Sequence, residues 1–178
     1  MGRGGTTWDV DQGPLVRFSE KHVARALEAA KKCRERHEAR GVWRHNRPDG
    51  RTDEVNAWAI LAEYAVHAWL GLQFNWARMA LGENDAGWDL VWKGRKIDVK
   101  WRTQRHTDVF VEKRMLPMKA DWLVQVTPWD LETRTVQITG AASKSQMEKE
   151  GKEKQFRSDL PLNLVLEQRK LQTPWVLR

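Results

Sequence analysis

Cysteine is nearly absent: Cys33 is the single one in 178 residues, which excludes an intramolecular disulfide, a cysteine-based zinc site and an iron–sulfur cluster. Long apolar runs are missing too. None reaches the ~18 residues of a membrane-spanning helix, and the stretch 1–8 carries no apolar core of a secretory signal. A soluble, intracellular (cytoplasmic) protein without a membrane partner is therefore expected. No P-loop, CxxC pair, Ser/His/Asp signature or internal repeat is visible, so no nucleotide cofactor is expected. Acidic residues are in deficit, 24 against 31 lysines and arginines, leaving a net charge of +7 and a pI near 9.8. That sign favours a polyanionic partner, nucleic acid first among them, although a merely soluble basic protein has the same balance. The length suits one domain with a real core.

What is present centres on residues 82–102. Side chains of a strand change face at every residue. Over 88–92, Trp88, Leu90 and Trp92 share one face, and Asp89 and Val91 the other. Over 97–102, Ile97, Val99 and Trp101 oppose Asp98, Lys100 and Arg102. Gly94 supplies the turn, and a Gly94-Arg95 loop of type II′ would pair Trp92 with Ile97, Val91 with Asp98 and Asp89 with Lys100. Asp89, Asp98 and Lys100 then lie on one face and the apolar sets on the other, which a slip by one residue would mix. Two carboxylates at the diagonal spacing, about 7–8 Å between strands, can clamp a divalent ion. An ammonium beside them can orient or deprotonate a water, so the pattern points to hydrolysis. The competing reading is a charged, solvated hairpin face.

Asp89, then Asp98-Val99-Lys100 on the next strand, resembles the PD-(D/E)xK nuclease superfamily. The flanking Asp85-Ala86-Gly87-Trp88-Asp89 and Lys100-Trp101-Arg102-Thr103 resemble its phage-like and Holliday-junction-resolvase-like members, and the proline of the superfamily's name is absent. The resemblance implies an α/β, restriction-endonuclease-like fold with a central mixed sheet of four to five strands, flanked by helices and preceded by a helical extension. It also implies metal-dependent phosphodiester hydrolysis leaving a 5′-phosphate. Asp89 and Asp98, with the Val99 carbonyl as a third oxygen, would hold Mg²⁺ or Mn²⁺, ions that favour oxygen ligands. Lys100 would position the attacking water or stabilise developing charge.

The same superfamily often presents a glutamate to the metal from a helix before the hairpin, and Glu63 is the matching position. Asp53 to Leu70, with Gly71 at its end, reads as that helix. In the largely apolar run 57–70, Glu63 falls on a stripe with Ala59, Ile60, Val66 and Leu70, where an unpartnered carboxylate is costly. A structural ion pair would also satisfy it. His67, one turn on, reads as a core or rim histidine or as an auxiliary site residue. Glu54 and Glu83 are lesser candidates at element ends.

Elsewhere the chain divides simply. Residues 1–17 are glycine-rich and expected as a loose arm. Ser19 caps a charge-rich helix reaching about Arg40, whose polar face is either solvated or DNA-facing. A loop covers 43–51. Further strands are expected at 108–112, at 120–127 as a central strand, and at 133–139 with Val136 and Ile138 inside. Gln125 is an auxiliary candidate, since some members of the superfamily place a glutamine near metal and water, and His106 lies in a polar loop that could approach substrate. A short helix follows from Ser143. Lys144, Lys149, Lys152, Lys154 and Arg157, together with Arg102, form a candidate backbone-gripping edge for DNA, or else a solvated loop. Leu160, Leu162 and Leu164 alternate, and the segment 175–177 could pack back on the core. Of eleven tryptophans, Trp58, Trp69, Trp88, Trp92, Trp101 and Trp122 lie on expected apolar faces, while Trp43, Trp129 and Trp175 are candidates for base stacking.

The expectation is a magnesium-dependent DNA endonuclease, phage-encoded or specific for junctions or flaps, with a homodimer as its candidate assembly. The alternatives are a non-catalytic DNA-binding module on the same fold, or an exonuclease or RNA-directed nuclease.

Overall fold

A computed structural model describes residues 13–41, 52–81, 87–156 and 161–177. The arm at 1–12, the loop at 43–51, Glu83, Asp85, Trp43, Arg157 and Leu160 lie outside the described residues.

The two long helices start and stop where their sequence signals stand. In α1 (Glu20–Ala39), the Ser19 hydroxyl accepts the His22 N–H at 3.3 Å. Its charges pair along the helix, Lys32 with Glu28 and Lys31 with Glu35. Arg34 reaches out to Asp53 at 2.8 Å, tying α1 to the start of α2 (Thr52–Leu70). The apolar side of α1 is made of small residues, and Ala26, Ala29 and Ala30 are buried with Leu61, Ala62, Ala65 and Val66 of α2 in one core. The N-terminal helix is thus not an extension of the fold. It helps to build the core, because alanines let the two helices approach closely.

A five-stranded mixed sheet lies against these helices. It is formed by β1 (Leu15–Arg17), β2 (Leu90–Trp92), β3 (Arg95–Trp101), β5 (Trp122–Asp130) and β6 (Thr135–Ser143), in the order β1-β6-β5-β3-β2. Only β3 and β5 run parallel. Residues 15–17, expected in a loose arm, pair instead with 135–137 of β6 as an edge strand. A three-residue strand is too short to show a period. β5 is central, as its apolar density requires, and Val136 and Ile138 of β6 are fully buried.

The strand expected at 108–112 does not join this sheet. β4 (Val109–Glu112) pairs with β8 (Asn163–Leu166), which also pairs with β7 (Lys152–Lys154), making a second sheet of three strands. All four β8 residues are buried, so this segment is a two-sided core strand rather than the alternating one its leucines suggested. The second sheet, α4 (Lys144–Glu150) and the far face of the main sheet enclose a smaller core of Val109, Val111, Leu123, Ala142, Met147 and Leu166. Leu177 packs into the main core and its carbonyl accepts the Trp92 indole N–H at 3.1 Å, so the 175–177 segment does return to the body. A third helix, α3 (Trp76–Leu81), was not foreseen.

The hairpin differs from expectation in register. Leu90 pairs with Ile97, Val91 with Lys96 and Trp92 with Arg95, so the loop is Lys93-Gly94. Both loop residues have positive φ, 48° and 77°, the type I′ geometry that matches strand twist, rather than type II′. The shift is by two residues, which preserves the faces. By extension of the ladder, Asp89 is opposite Asp98, not Lys100.

Candidate active site

β2 is short, and its ladder with β3 ends at Leu90–Ile97. From Asp98 onward, no strand among the described residues pairs with that edge of β3. Asp89 fills the gap in two ways: its N–H donates to the Ile97 carbonyl at 2.9 Å, and its carboxylate accepts the Val99 N–H at 2.6 Å. A side chain has replaced a backbone carbonyl in the ladder, which holds the carboxyl group within hydrogen-bonding reach of Asp98. Lys100 donates to the Asp98 carboxylate at 2.7 Å, and both side chains keep contact with solvent, 26% and 17% exposed. Val99 points the other way into the main core, so its contribution on this side is backbone alone.

Glu63 comes from α2, which packs against β3. Burial and the neighbouring Asp89 charge push its carboxyl up to about 8, against the pull of Arg78, with Asp98 and Lys100 also within electrostatic range. Asp89 is pushed up to about 7, first by burial and then by the Asp98 charge, with the Val99 N–H and Lys100 opposing. Glu63, from a helix, and Asp89, Asp98 and Lys100, from one hairpin, therefore interact as one cluster. Among the described residues, no three His, Cys, Asp or Glu side chains already surround a common point at coordination distance; Lys100 holds Asp98 instead. The donor set nevertheless fits a hard divalent cation. It consists of carboxylate oxygens whose crowding disfavours ionisation, which a bound cation would reverse.

Arg78, on α3, is the site residue that sequence reasoning missed. Its guanidinium donates to the Asp89 carbonyl at 3.3 Å and its charge acts on Glu63 and His67. The only signal was a lone arginine in the six-residue segment Trp76–Leu81, too short to stand out. His67 donates from Nδ1 to the Glu63 carbonyl at 2.8 Å, lies edge-on to Phe74, and has its pKa lowered by burial. It is a rim histidine of a hollow shared with Arg78 and Asp89. Gln125 lies across from Lys100 in the β3–β5 ladder; its amide donates to the Thr107 carbonyl at 2.8 Å, while its buried Oε1 has no hydrogen-bond partner among the described residues. It braces the 103–108 loop beside the cluster.

The basic candidates are placed less uniformly. The Arg102 guanidinium is buried, stacked 3.9 Å from the Phe110 ring centroid, and donates to the Trp101 and Phe110 carbonyls; burial lowers its pKa to about 10. It braces β3 against β4 and borders a hollow with His106. Lys144 faces Glu148 at 4.0 Å and Lys152 faces Glu167 at 3.4 Å, while Lys149 is exposed and Lys154 stands over Phe156. Lys113 pairs with Glu153 of β7, which places this basic run against the turn that follows β4. Glu54 sits in the first turn of α2.

The tryptophans are chiefly structural. Trp58 stacks on Trp101 at 5.7 Å, Trp69 is buried, and Trp92 and Trp122 pack against the main core. Trp88 departs from expectation: it precedes β2, and its ring lies under the Lys96 ammonium at 4.0 Å. Trp129 is 37% exposed beneath Arg105, and Trp175 is 46% exposed against the edge of Trp69.

No helix of the described residues is long and apolar enough to cross a membrane. In comparisons with protein-family models, with curated proteins and with solved structures, nothing matches this chain.

Proposed function

We propose that this chain is a metal-dependent DNA endonuclease of the PD-(D/E)xK type. The observation that carries the reading is the meeting of Glu63, Asp89 and Asp98 with Lys100, from one helix and one hairpin, at an open sheet edge. Such a cluster is expensive to keep unless it has work to do.

Asp89, Asp98 and Glu63 would hold Mg²⁺ or Mn²⁺. When bound, such an ion supplies Lewis-acid polarisation of the phosphate and a lower pKa for the attacking water. The residues do the rest. Lys100 leaves Asp98 to orient the water or balance charge on the phosphate. Arg78, the second cation of the cluster, neutralises the phosphate oxygens from the α3 side. Water adds at phosphorus and gives up a proton to solvent, the bond to the 3′-oxygen breaks, and the leaving oxygen takes a proton from solvent, leaving a 5′-phosphate. The net charge of +7 draws the DNA backbone to the molecule.

The Lys100–Asp98 ion pair favours one rival, a module that binds DNA without cutting it. Cleavage assays on supercoiled plasmid, duplex, single strand, flap, four-way junction and RNA, each with Mg²⁺, Mn²⁺ or EDTA, separate the two. Metal-dependent cutting that is lost in Asp98→Ala supports the nuclease. Tight binding without cutting in any metal supports the module.

A further inference from the structure

One member of the acid cluster, Asp98, borders a cavity of about 470 Å³. Asp98 and Gly87 form part of its lining, and the rest comes from the segment that carries the chain from β3 across to β5. Val111, Met115, Leu116, Pro117, Met118 and Ala120 make its walls. Arg114 and Lys119 also border it. Gly87 lets the chain pass close: a Cβ there would meet Lys119 Cδ at 2.7 Å, and its φ is +83°. The volume falls in the ~300–1,000 Å³ range of small-molecule sites, well beyond what one ion or a few waters fill.

The lining specifies its occupant. Aliphatic and thioether walls beside a carboxylate call for a neutral, apolar body, since an anion would face Asp98. Arg114 is paired with Glu112 at the rim, and the Lys119 ammonium beside it calls for an anion just outside. A neutral, flat ring carried on an anionic chain is a nucleobase on its phosphate backbone. Methionine suits the ring faces because its polarisable sulfur packs well against π systems. The cavity also has Asp98 in its wall, one of the carboxylates that would act on a phosphate, so a base seated there is close to the bond that breaks. A base paired and stacked inside a duplex cannot enter. Extrusion is costly, and least so when the nucleotide is already unpaired.

We propose that the cavity beside Asp98 seats an unpaired nucleobase next to the scissile phosphate, so that the substrate is DNA with an unpaired nucleotide at the point of cutting. This rests on the nuclease reading and narrows it from duplex DNA in general to bulged, flapped, branched or frayed strands.

Two measurements on the full chain test the proposal separately from that reading. In the first, DNA carries 2-aminopurine either at a single unpaired position or at the same position fully paired, in EDTA, so that no cutting is needed. The wild-type protein is expected to change the emission of the unpaired probe and not that of the paired one. Met115→Trp, which obstructs the cavity from a residue that is 49% exposed, is expected to lose the response. Met115→Ala, which only trims the wall, is expected to weaken it, and guards against misfolding of the tryptophan variant. In the second measurement, Mg²⁺-dependent cleavage of the unpaired substrate is expected to exceed that of the paired one by about tenfold or more, a difference near 1.4 kcal/mol. An abasic residue at the unpaired position, or Met115→Trp, is expected to bring the ratio towards one. Cutting at equal rates with no emission response overturns the base site and leaves the nuclease standing. An emission response that survives in Met115→Trp also overturns it. A response lost in Met115→Trp, with no cutting in any metal, keeps the base site and overturns the nuclease.

Discussion

The two faces of the five-stranded sheet come from the same strands and have opposite characters. On the helix side, Ile97, Val124, Val126, Val136 and Ile138 are all fully buried beneath α1 and α2. On the other side, Asp98, Lys100 and Gln125 hold charge and hydrogen-bonding groups, and the cover is a short second sheet, a seven-residue helix and a cavity. Ile97 and Asp98 are chain neighbours that belong to different parts of the molecule. The period of a strand makes this possible: one hairpin anchors itself with one set of residues and offers chemistry with the other.

The sharpest way to break the comparison is to change those neighbours one at a time. Asp98→Ala is expected to lower metal-dependent cleavage by about 10³-fold or more, roughly 4 kcal/mol of transition-state stabilisation, while leaving urea unfolding nearly unchanged. Ile97→Ala should do the reverse. It opens a cavity under α2 and costs about 3 kcal/mol of stability, with the cleavage rate per folded molecule retained. If both variants lost activity and stability together, the two faces would not be separable.

A second test concerns the charge cluster at the open edge of the sheet. In EDTA, the Glu63 and Asp89 carboxyls titrate above the ordinary carboxylate range. Their folded pKa values are raised, so the fold favours their protonated forms. The associated stability is fully present below the unfolded pKa values, 3.8 for Asp89 and 4.5 for Glu63, and is lost as pH rises through about 7 to 8. Glu63→Gln removes much of that loss. Its urea midpoint, relative to wild type, is expected to rise between pH 5 and pH 8 by the equivalent of about 3 kcal/mol, and Mg²⁺ should narrow the gap. A pH-independent difference would show that the carboxyl is not held in a costly place.

Arg78 gives a smaller effect. Arg78→Ala is expected to lower kcat/KM by about 30-fold, near 2 kcal/mol, with Arg78→Lys recovering part of it. Because the Arg78 charge holds Glu63 down, its loss should also move the acid limb of the pH–rate profile to higher pH. A merely structural arginine would lower stability without moving that limb.

These residues differ in how visible they are in the sequence. The faces of the hairpin, the capped helix after Ser19 and the glutamate in an apolar stripe all follow from periodicity, which survives errors of detail. The register was wrong by two residues because Gly94 sits second in its turn, with Lys93 taking the other positive φ. A period-2 pattern cannot distinguish that shift. Arg78 and the cavity were invisible for another reason. α3 has six residues and no buried ones, and the cavity walls belong to a connection whose path is set by β4 pairing with β8 far along the chain. Such long-range pairing leaves no local mark.

The smallest test uses one chemical change on both sides. Ser19 and Ser143 each cap a helix, accepting N–H groups at 3.3 and 3.1 Å. Ser19→Ala loosens a twenty-residue helix whose alanines lie in the main core. Its cost, about 1 kcal/mol, should appear in global unfolding. Ser143→Ala loosens a helix of seven residues, anchored by Met147 and by the Gln146 amide on the Lys170 carbonyl at 2.6 Å. Less of the core depends on that first turn, so the change should appear mainly as faster hydrogen exchange at Gln146 and Met147, with a global cost nearer 0.5 kcal/mol. Equal global costs would mean that α4 and the second sheet unfold as one unit with the helix-covered core. The site would then sit on a rigid wall rather than beside a segment able to open around an incoming strand.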